Sequence, residues 1–419
     1  MRKTRRRHIL FACTKRFVEK RRYALRLSIP HYSATSAAGT GLAALRESLA
    51  SRRSGLRRND FEGCDLETWI GRVPGVEEVK LPSDLGALLS RNNQLAWLGL
   101  QQDGMLDAVR ALAGKIGAHR IGVIMGTSTS SIGRTEEAYT QLDESGRMRP
   151  EFQQPEVHNL HSPGIFVSAA TGLKGPSMTI STACSSSAKV FATATRWIRH
   201  GLVDAALVGG VDSLCLSVLY GFNSLELVSS EQCRPLDKDR NGINIGEAAG
   251  YALITRPELA PTAELQLAGY GESSDAYHMS HPHPEGKGAI FSMSRALERA
   301  ATASGEVGYV NLHGTASKAN DMVETSALAE RFTDATLVSS TKGWTGHTLG
   351  AAGILESVIA IDTLATGLLP GTLNCAQADP EFRFPVMQDN VEKSINCSMT
   401  NSFGFGGNNA SLVFRRRDD

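Results

Sequence analysis

The sequence predicts an α/β fold built from two similar halves around mixed β-sheets. Short apolar runs typical of strands alternate with helical patterns along most of the 419 residues. Two segments of the first half also have counterparts in the second: residues 121–130 parallel 309–318, and residues 177–194 parallel 336–360. Each pair shares a strand followed by a turn of small polar residues. The long period indicates a duplicated domain and not a solenoid.

The individual elements follow from local patterns, in chain order. Apolar runs predict strands at 27–32, 121–125, 178–180, 205–209 and 250–255. Apolar residues at helical spacing predict helices within 39–58, 91–116, 134–157 (with a mobile loop) and 190–198. Residues 59–83 are irregular, 211–227 are apolar enough to be buried against another layer or subunit, and the prolines of 256–261 mark a linker. We therefore divide the chain into a basic extension (1–26), an N-terminal half (27–258) and a C-terminal half (259–419).

Composition is that of a globular protein without a membrane span. Hydrophobic residues make up 41% and charged residues 21%, and no run reaches the roughly 18 apolar residues of a spanning helix. The formal net charge is +1, yet residues 1–26 hold eleven Lys and Arg and one Glu. Such an arm suits a nucleic-acid or membrane surface, or a secretory signal, whose apolar core it lacks. We predict an extension without a catalytic role and no nucleic-acid partner, because the basic composition does not continue.

The seven cysteines predict neither a disulfide framework nor a zinc site. Their number is odd, they are widely spaced, and no C-x-x-C pair occurs. A reducing cytoplasm fits this pattern best.

Cys184 lies at the centre of the run GPSMTISTACSSSAKV, between a predicted buried strand and a predicted helix. Unpaired backbone N–H groups at a helix N-terminus favour negative charge, so we expect a lowered thiol pKa. The same groups can hold an oxyanion. Most free cysteines are instead small buried hydrophobes, and for Cys184 alone that alternative stays open.

Two further predicted strand ends carry histidines. His313 follows an apolar strand in NLHGTASK, and Lys342 and His347 follow another in STKGWTGHTLG. Because a duplicated α/β fold places the ends of equivalent strands on one side, where sites on such sheets form, we expect Cys184 and both histidines to meet. A metal site is the competing use of these residues. We predict no metal, since the spacing is unlike that of ligand motifs and zinc needs a fourth group.

These residues and the C-terminal run NSFGFGGNNA resemble the β-ketoacyl-acyl-carrier-protein synthases of the thiolase superfamily. The shared motifs are ACSSS at Cys184, HGT at His313, STK at Lys342 and TGH at His347, in order and with matching spacing. The resemblance implies a five-layered αβαβα thiolase-like fold, usually in a homodimer, with a heterodimer left open. It also implies condensation of an enzyme-bound acyl group with malonyl-acyl-carrier protein. The implied partner is acyl carrier protein, which delivers the acyl and malonyl groups, and no cofactor is implied beyond its phosphopantetheine arm.

The resemblance assigns a role to each matching residue. Cys184 is the implied nucleophile, which takes the acyl chain as a thioester. His313 and His347 are implied to stabilise the enolate left by decarboxylation; the alternative role for one of them is that of a base toward the carboxylate or an attacking water. Lys342 is implied to be buried beside carboxylates. The remaining implied residues are the supporting acids Glu356, Asp321 and Glu324, the gate and second oxyanion-hole residue Phe405 beside the N–H of Cys184, and the pantetheine-binding hydroxyls Thr315 and Ser317.

One segment departs from the common family pattern. Residues 235–243, PLDKDRNGI, stand where P-F-D-x-x-R-D-G-F is usual, so two aromatic side chains are aliphatic and an Asp is Asn. Because this loop is expected beside the acyl tunnel, chain-length preference does not transfer from fatty-acid enzymes. Together with RNNQ (91–94) and SHPHPEGKG (280–288), the NGINIGE run (241–247) resembles synthases of aryl-polyene clusters.

A cluster of basic side chains could dock an acidic carrier protein or form a solvated face. Its members are Arg52, Arg53, Arg57 and Arg58.

Two other functions share this likeness. A thiolase has the same fold but needs a second catalytic cysteine in a glycine-rich turn, whereas the nearest candidate, Cys397, lies in a predicted strand. A non-catalytic chain-length partner of another synthase would lack the nucleophile, and Cys184 is present. We therefore predict an active condensing enzyme that elongates fatty-acid-type or polyketide-type chains.

Overall fold

Strands of both halves form one large mixed sheet. The computed structural model describes residues 26–418, so the predicted basic extension lies outside the described residues except for Arg26, which pairs with Asp418. The strands are β1 (Leu27–Ser36), β2 (Gly39–Thr40), β3 (Arg57–Arg58), β4 (Trp69–Gly71), β5 (Ile121–Gly126), β6 (Ser177–Ile180), β7 (Ala205–Asp212), β8 (Ile245–Gly246), β9 (Ala248–Thr255), β10 (Leu265–Ser274), β11 (Tyr309–Asn311), β12 (Leu337–Ser339), β13 (Leu368–Leu369), β14 (Val391–Glu392), β15 (Cys397–Gly404) and β16 (Asn408–Arg416).

The strand order repeats from one half to the other. The first half runs β6-β5-β7-β9-β1 and the second runs β12-β11-β15-β16-β10. In each, the first three strands are parallel and the last two are antiparallel to their neighbours. The halves join where β1 pairs with β10, at Leu27 opposite Leu267 and Ser28 opposite Gln266. Outside this path, β2 extends β1, β3-β4-β8 form a small sheet, and β13 pairs with β14.

Helices cover and separate the two halves of the sheet. They are α1 (Leu42–Ala50), α2 (Arg91–Leu100), α3 (Met105–Ile116), α4 (Ile132–Thr140), α5 (Ser162–Thr171), α6 (Ser186–Arg199), α7 (Leu216–Ser224), α8 (Lys287–Ala300), α9 (Lys318–Ala329), α10 (Lys342–Thr345) and α11 (Ala352–Thr366). Helices α2 and α5 pack on the outer face of the first half, and α8, backed by α9, packs on the second. Helices α6 and α11 lie between the halves and touch each other. The result is the predicted αβαβα order of layers.

The central helix pair depends on small residues, as the sequence predicts. A Cβ atom on Gly353 of α11 would lie 2.5 Å from the backbone nitrogen of Ala188 on α6, so only glycine permits this approach. The segment Leu349–Thr366 is long and apolar enough to cross a membrane, judged by length and composition alone. This segment was not identified from the sequence. However, 89% of that segment is buried inside the protein, as expected for a core helix.

Several predicted elements differ from the observed ones. The strand before Cys184 was predicted to be buried, but β6 is the edge strand of the sheet and Met178 is 41% exposed. The predicted helix within 134–157 ends at Thr140. The 211–227 segment divides into the end of β7 and the helix α7, and Leu225 just beyond this helix is 52% exposed in the single chain; its burial against another subunit stays a prediction. Apolar composition alone does not distinguish a buried segment from one that lines a cavity.

Candidate active site

Cys184 sits in a tight turn between the edge strand β6 and the central helix α6. The turn is held by the Ser186 hydroxyl, which accepts the Thr182 N–H at 2.9 Å, and Ala183 has a φ of 52°. Left-handed backbone is unfavourable for a residue with a Cβ and often marks functional turns. The thiol is 4% exposed, so it lies at the base of a cavity and not at the surface.

The thiol pKa differs from the sequence prediction. A helix N-terminus was expected to lower it, but burial raises the pKa of Cys184 to about 11. The backbone N–H of Phe405, the charge of Lys342 and the N–H of Cys184 itself each act in the opposite direction. The prediction was wrong because desolvation of a buried thiolate outweighs these partial charges.

His347 contacts the sulfur directly. Its Nε2 atom lies 3.1 Å from Cys184 Sγ, and its Nδ1 atom accepts the backbone N–H of Leu349 at 3.2 Å. A neutral imidazole that accepts at Nδ1 carries its proton on Nε2, so the ring directs an N–H toward the sulfur. Burial and the positive charge of Lys342 hold the His347 pKa well below its usual value, which keeps the ring neutral.

His313 completes the group. Its ring lies edge-to-face against His347, with the ring centroids 5.3 Å apart. The Nζ atom of Lys342 lies 3.5 Å from His313 Nδ1, and an ammonium can only donate. Burial, Lys342 and His347 lower the pKa of His313 well below its usual value. Nδ1 therefore acts as an acceptor and Nε2 carries the proton, as in His347.

Lys342 is buried in a network of charges. It is 2% exposed, donates to the backbone oxygen of His313, and pairs with Glu356 of α11. Burial raises the pKa of Glu356 to about 7, against the opposing charge of Lys342. The sequence placed Glu356 beside Lys342, and this contact is present.

Two acids of α9 hold the backbone after His313. Glu324 accepts the N–H groups of His313 and Gly314 at 2.9 and 2.8 Å, and Asp321 accepts the Thr315 N–H at 2.9 Å. Burial raises the pKa of Glu324 to about 7 and also raises that of Asp321. Both acids therefore act on the backbone of the turn, whereas the sequence placed them only near the histidine.

The remaining predicted residues line one cavity of about 430 Å³ above the sulfur. Phe405 borders it, between Gly404 and a Gly406 with a φ of 74°. The hydroxyls of Thr315 and Ser317 lie 3.0 Å apart at its wall. A neighbouring open cleft of about 1050 Å³ shares Lys318 with this cavity. The cavity thus joins a sulfur, two imidazoles and paired hydroxyls to the surface.

Comparisons with known proteins identify the family. The description "Beta-ketoacyl synthase, N-terminal domain" matches residues 94–260, and "Beta-ketoacyl synthase, C-terminal domain" matches residues 265–376. The chain is 34% identical to 3-oxoacyl-[acyl-carrier-protein] synthase 2 of Vibrio cholerae, over 71% of this chain and 76% of the relative. It is 38% identical to the mitochondrial 3-oxoacyl-[acyl-carrier-protein] synthase of Arabidopsis thaliana, over 70% and 68% of the two chains. The chain belongs to the β-ketoacyl synthase family.

The structural comparison agrees with this family. A ketosynthase (ApeO) from Xenorhabdus doucetiae, solved in complex with its chain length factor (ApeC), superposes with a TM-score of 0.82 at 34% identity, and the match covers 94% of this chain and 98% of that one. The synthase is thus an acyltransferase with the predicted thiolase-like fold. The alternative of an inactive partner is not favoured, because the nucleophile and both histidines are assembled.

The thiolase alternative fails on the position of Cys397. This residue begins β15, whereas Gly404 at the other end of the strand lies against the Cys184 turn, where an added Cβ would be 3.1 Å from Ser185 N. Seven residues of extended strand span about 23 Å. Cys397 therefore cannot serve as a second thiol at this cavity.

The donor set could geometrically hold a metal ion. Ligand atoms of Cys184, His313 and His347 lie within 4.8 Å of one another. The ammonium of Lys342 beside His313 opposes a cation there. The absence of a metal requirement stays a prediction.

Sequence reasoning missed several residues around the site. Asp212 accepts hydrogen bonds from both halves of the protein, Asn401 donates to Glu324 at 3.2 Å, and Phe222 of α7 stacks near Phe405 at 5.7 Å. Asp212 is the one polar residue of the apolar strand β7. A lone polar residue in a buried strand was the signal that could have found it, whereas Asn401 lies among the other polar residues of β15 and carries no such signal.

Proposed function

We propose that the synthase catalyses decarboxylative condensation between an acyl group on Cys184 and malonyl-acyl-carrier protein. The observation that supports this most strongly is the assembly of Cys184 with two neutral imidazoles, each bearing its proton on Nε2, in one cavity. Neutral N–H donors suit a developing oxyanion because they stabilise it without giving up a proton.

In the first step, Cys184 takes the acyl group from its carrier. The sulfur forms a bond to the thioester carbonyl carbon, the bond to the carrier sulfur breaks, and the thiol proton ends on the released carrier thiol. The N–H groups of Cys184 and Phe405 are the proposed donors to the carbonyl oxygen, and their effect on the pKa of the Cys184 thiol supports this. The Nε2 proton of His347 stabilises thiolate character as the bond forms.

In the second step, the malonyl group loses carbon dioxide. The C–C bond to the carboxylate breaks, and its electron pair forms an enolate whose oxygen accepts from Nε2 of His313 and His347. The enolate carbon then attacks the carbonyl carbon of the Cys184 thioester and forms the new C–C bond. The bond to the cysteine sulfur breaks, and the released thiolate takes a proton from water. Burial, together with the charge of Lys342, lowers the pKa of both histidines and keeps the rings neutral.

Acyl carrier protein is the proposed partner. Its phosphopantetheine arm carries the acyl and malonyl groups, and no other cofactor is proposed. Thr315 and Ser317 are the proposed contacts of the arm, and Lys318 at the shared rim suits its phosphate. Some arginines suggested for docking are already engaged: Arg53 pairs with Glu47 at 3.1 Å, and Arg58 stacks over Trp69 at 5.2 Å. We therefore favour the cavity mouth as the docking surface.

Phe405 is proposed as the gate of the acyl branch. Its ring meets Phe222, and the Gly406 N–H donates to the Met279 backbone oxygen at 2.7 Å. Movement of Phe405 would therefore break contacts with two other segments. The aryl-polyene subtype remains a prediction about the acyl chain admitted here.

A homodimer in the cytoplasm is the proposed physiological form. The edge strand β6 presents Met178 to solvent, and an unpaired strand edge is a template for a second chain. The six cysteines that the structure describes are all free, which suits a reducing compartment. Light scattering of the purified chain distinguishes a dimer from a monomer that awaits a chain length factor.

The test of the proposed function is intact-protein mass spectrometry after incubation with acyl-carrier protein. Wild-type protein is expected to gain one acyl mass, and Cys184→Ala none. Cys397→Ala is the matched control, since it removes another buried thiol far from the cavity and should acylate normally. Acylation of Cys184→Ala would show that the nucleophile is assigned wrongly.

A further inference from the structure

A buried carboxylate without an assigned role, Asp212, joins the two halves beside the site. It ends β7 and is fully buried. From the first half it accepts the Thr127 hydroxyl at 2.6 Å and the N–H groups of Ser128 and Thr129 at 2.8 and 3.1 Å. From the second half it accepts the Gly350 N–H at 2.7 Å. A carboxylate with this many donors at fixed distances has one available orientation.

In each half a buried acid accepts two consecutive backbone N–H groups of the turn that follows a central strand. Glu324 takes the N–H groups of His313 and Gly314 after β11, and Asp212 takes those of Ser128 and Thr129 after β5. The difference is the Gly350 contact, which crosses between halves. Glu324 orients His313 by accepting the backbone N–H of that histidine. Asp212 accepts the N–H of Gly350, which lies in the turn that follows His347.

The segment from His347 to Gly350 is held at both ends. At the first, the His347 N–H donates to the Asn244 backbone oxygen at 2.7 Å. At the second, Gly350 donates to Asp212, and a Cβ on Gly350 would lie 2.4 Å from Ser128 N. Between them Leu349 has a φ of 55° and donates its N–H to His347 Nδ1. An unfavourable backbone conformation persists only where its surroundings impose it.

We infer that Asp212 is a positioning residue for the decarboxylation step. By holding Gly350 against the first half, it keeps Leu349 in the conformation whose N–H occupies His347 Nδ1. That hydrogen bond leaves the proton of His347 on Nε2, directed at the reacting centre. Asp212 makes no hydrogen bond to the sulfur, although its charge contributes to the raised pKa of Cys184, so its effect on decarboxylation is exerted through the position of His347. This inference rests on the proposed function.

A double-mutant cycle between Asp212→Asn and His347→Ala tests this. An amide can accept at only one of its two terminal atoms. Asp212→Asn therefore loses either the Oδ2 contacts with Ser128 and Gly350 or the Oδ1 contacts with Thr127 and Thr129, and in both cases Gly350 is no longer tied to all of the first-half turn. We expect carbon dioxide release from malonyl-acyl-carrier protein to fall about 10- to 100-fold in Asp212→Asn, as for a misplaced catalytic group. Acylation of Cys184 should change less than about threefold. In the His347→Ala background the same substitution should change the residual rate less than about twofold.

The matched control is Asp204→Asn. Asp204 directly precedes β7, at the opposite end of this strand, and pairs with Arg120 and Arg256 near the surface. Its substitution should leave both steps unchanged.

Each other outcome contradicts the inference. Equal losses of acylation and decarboxylation, additive with His347→Ala, would show a structural role only, and unchanged carbon dioxide release would show no role. If Asp212→Asn does not fold, Asp212→Glu takes its place in the cycle, because it keeps the charge but displaces the carboxylate; wild-type decarboxylation in that variant would overturn the inference. Wild-type protein that releases no carbon dioxide would instead overturn the proposed function.

Discussion

The Nε2 atom of His347 lies 3.1 Å from the Sγ atom of Cys184, although 163 positions separate the two residues. The duplicated sheet makes this contact possible, because the turns of the two halves open toward one cavity. The Leu349 N–H fixes which ring nitrogen carries the proton. Backbone contacts thus hold His347 as a hydrogen-bond donor beside the Cys184 sulfur.

The raised thiol pKa predicts slow alkylation of resting Cys184 at neutral pH. Iodoacetamide reacts with the thiolate, and with a pKa of about 11 the rate should rise about tenfold per pH unit between pH 7 and 9 without levelling. Peptide mass mapping separates Cys184 from the more accessible Cys64. A plateau below pH 8 would contradict the burial argument and restore the sequence-based expectation.

The buried pair of Lys342 and Glu356 predicts a large, rescuable loss of stability. Lys342→Met leaves the Glu356 carboxylate buried and unpaired, which should lower the free energy of unfolding by about 3–5 kcal/mol. Adding Glu356→Gln should recover much of it. The control Lys287→Met, at a mostly exposed lysine paired with Glu285, should change stability by less than about 0.5 kcal/mol. Urea unfolding measures all of these, and equal losses for Lys342→Met and the double variant would contradict the pairing.

The raised pKa of Glu324 predicts a pH dependence of stability. In the folded protein this carboxyl titrates near 7, above its ordinary value of 4.5, so the folded state binds the proton more tightly. Its contribution is therefore greatest below about pH 4.5 and is lost as the pH rises through about 7. Glu324→Gln should flatten the fall in unfolding free energy between these values. An unchanged slope in that variant would contradict the shift.

Removal of metal is expected to leave activity intact. Protein dialysed against a chelator, and verified by elemental analysis, should condense acyl and malonyl groups at the untreated rate, because the donor groups at Cys184, His313 and His347 are used by the reaction itself. A loss of rate that zinc restores would mean that these three residues hold an ion.

Much of the fold could be predicted from local sequence, because strands that end in small polar turns carry their own signal. The positions of Cys184, His313 and His347 at such turns, and the repeat between halves, were enough to expect their meeting. The pairing of Lys342 with Glu356 followed from the family resemblance. These features are short-range patterns, repeated in the order in which the sheet uses them.

The rest depended on tertiary environment, which local sequence does not record. The edge position of β6 left Met178 exposed, although its sequence resembles a buried strand. The thiol pKa was predicted with the wrong sign, because its value is set by desolvation from every side. Asp212 escaped notice because its donors come from segments 80 to 140 positions away. Contacts of this kind exist only after the halves have packed.

The division of labour between the thiol and the two histidines is tested most directly by measuring both half-reactions on His313→Ala and His347→Ala. We expect each variant to acquire the acyl mass on Cys184 within about tenfold of the wild-type rate. Release of carbon dioxide from malonyl-acyl-carrier protein should fall about 10²- to 10³-fold, the usual effect of removing an oxyanion donor. Variants that decarboxylate at the wild-type rate but no longer acylate would contradict the account.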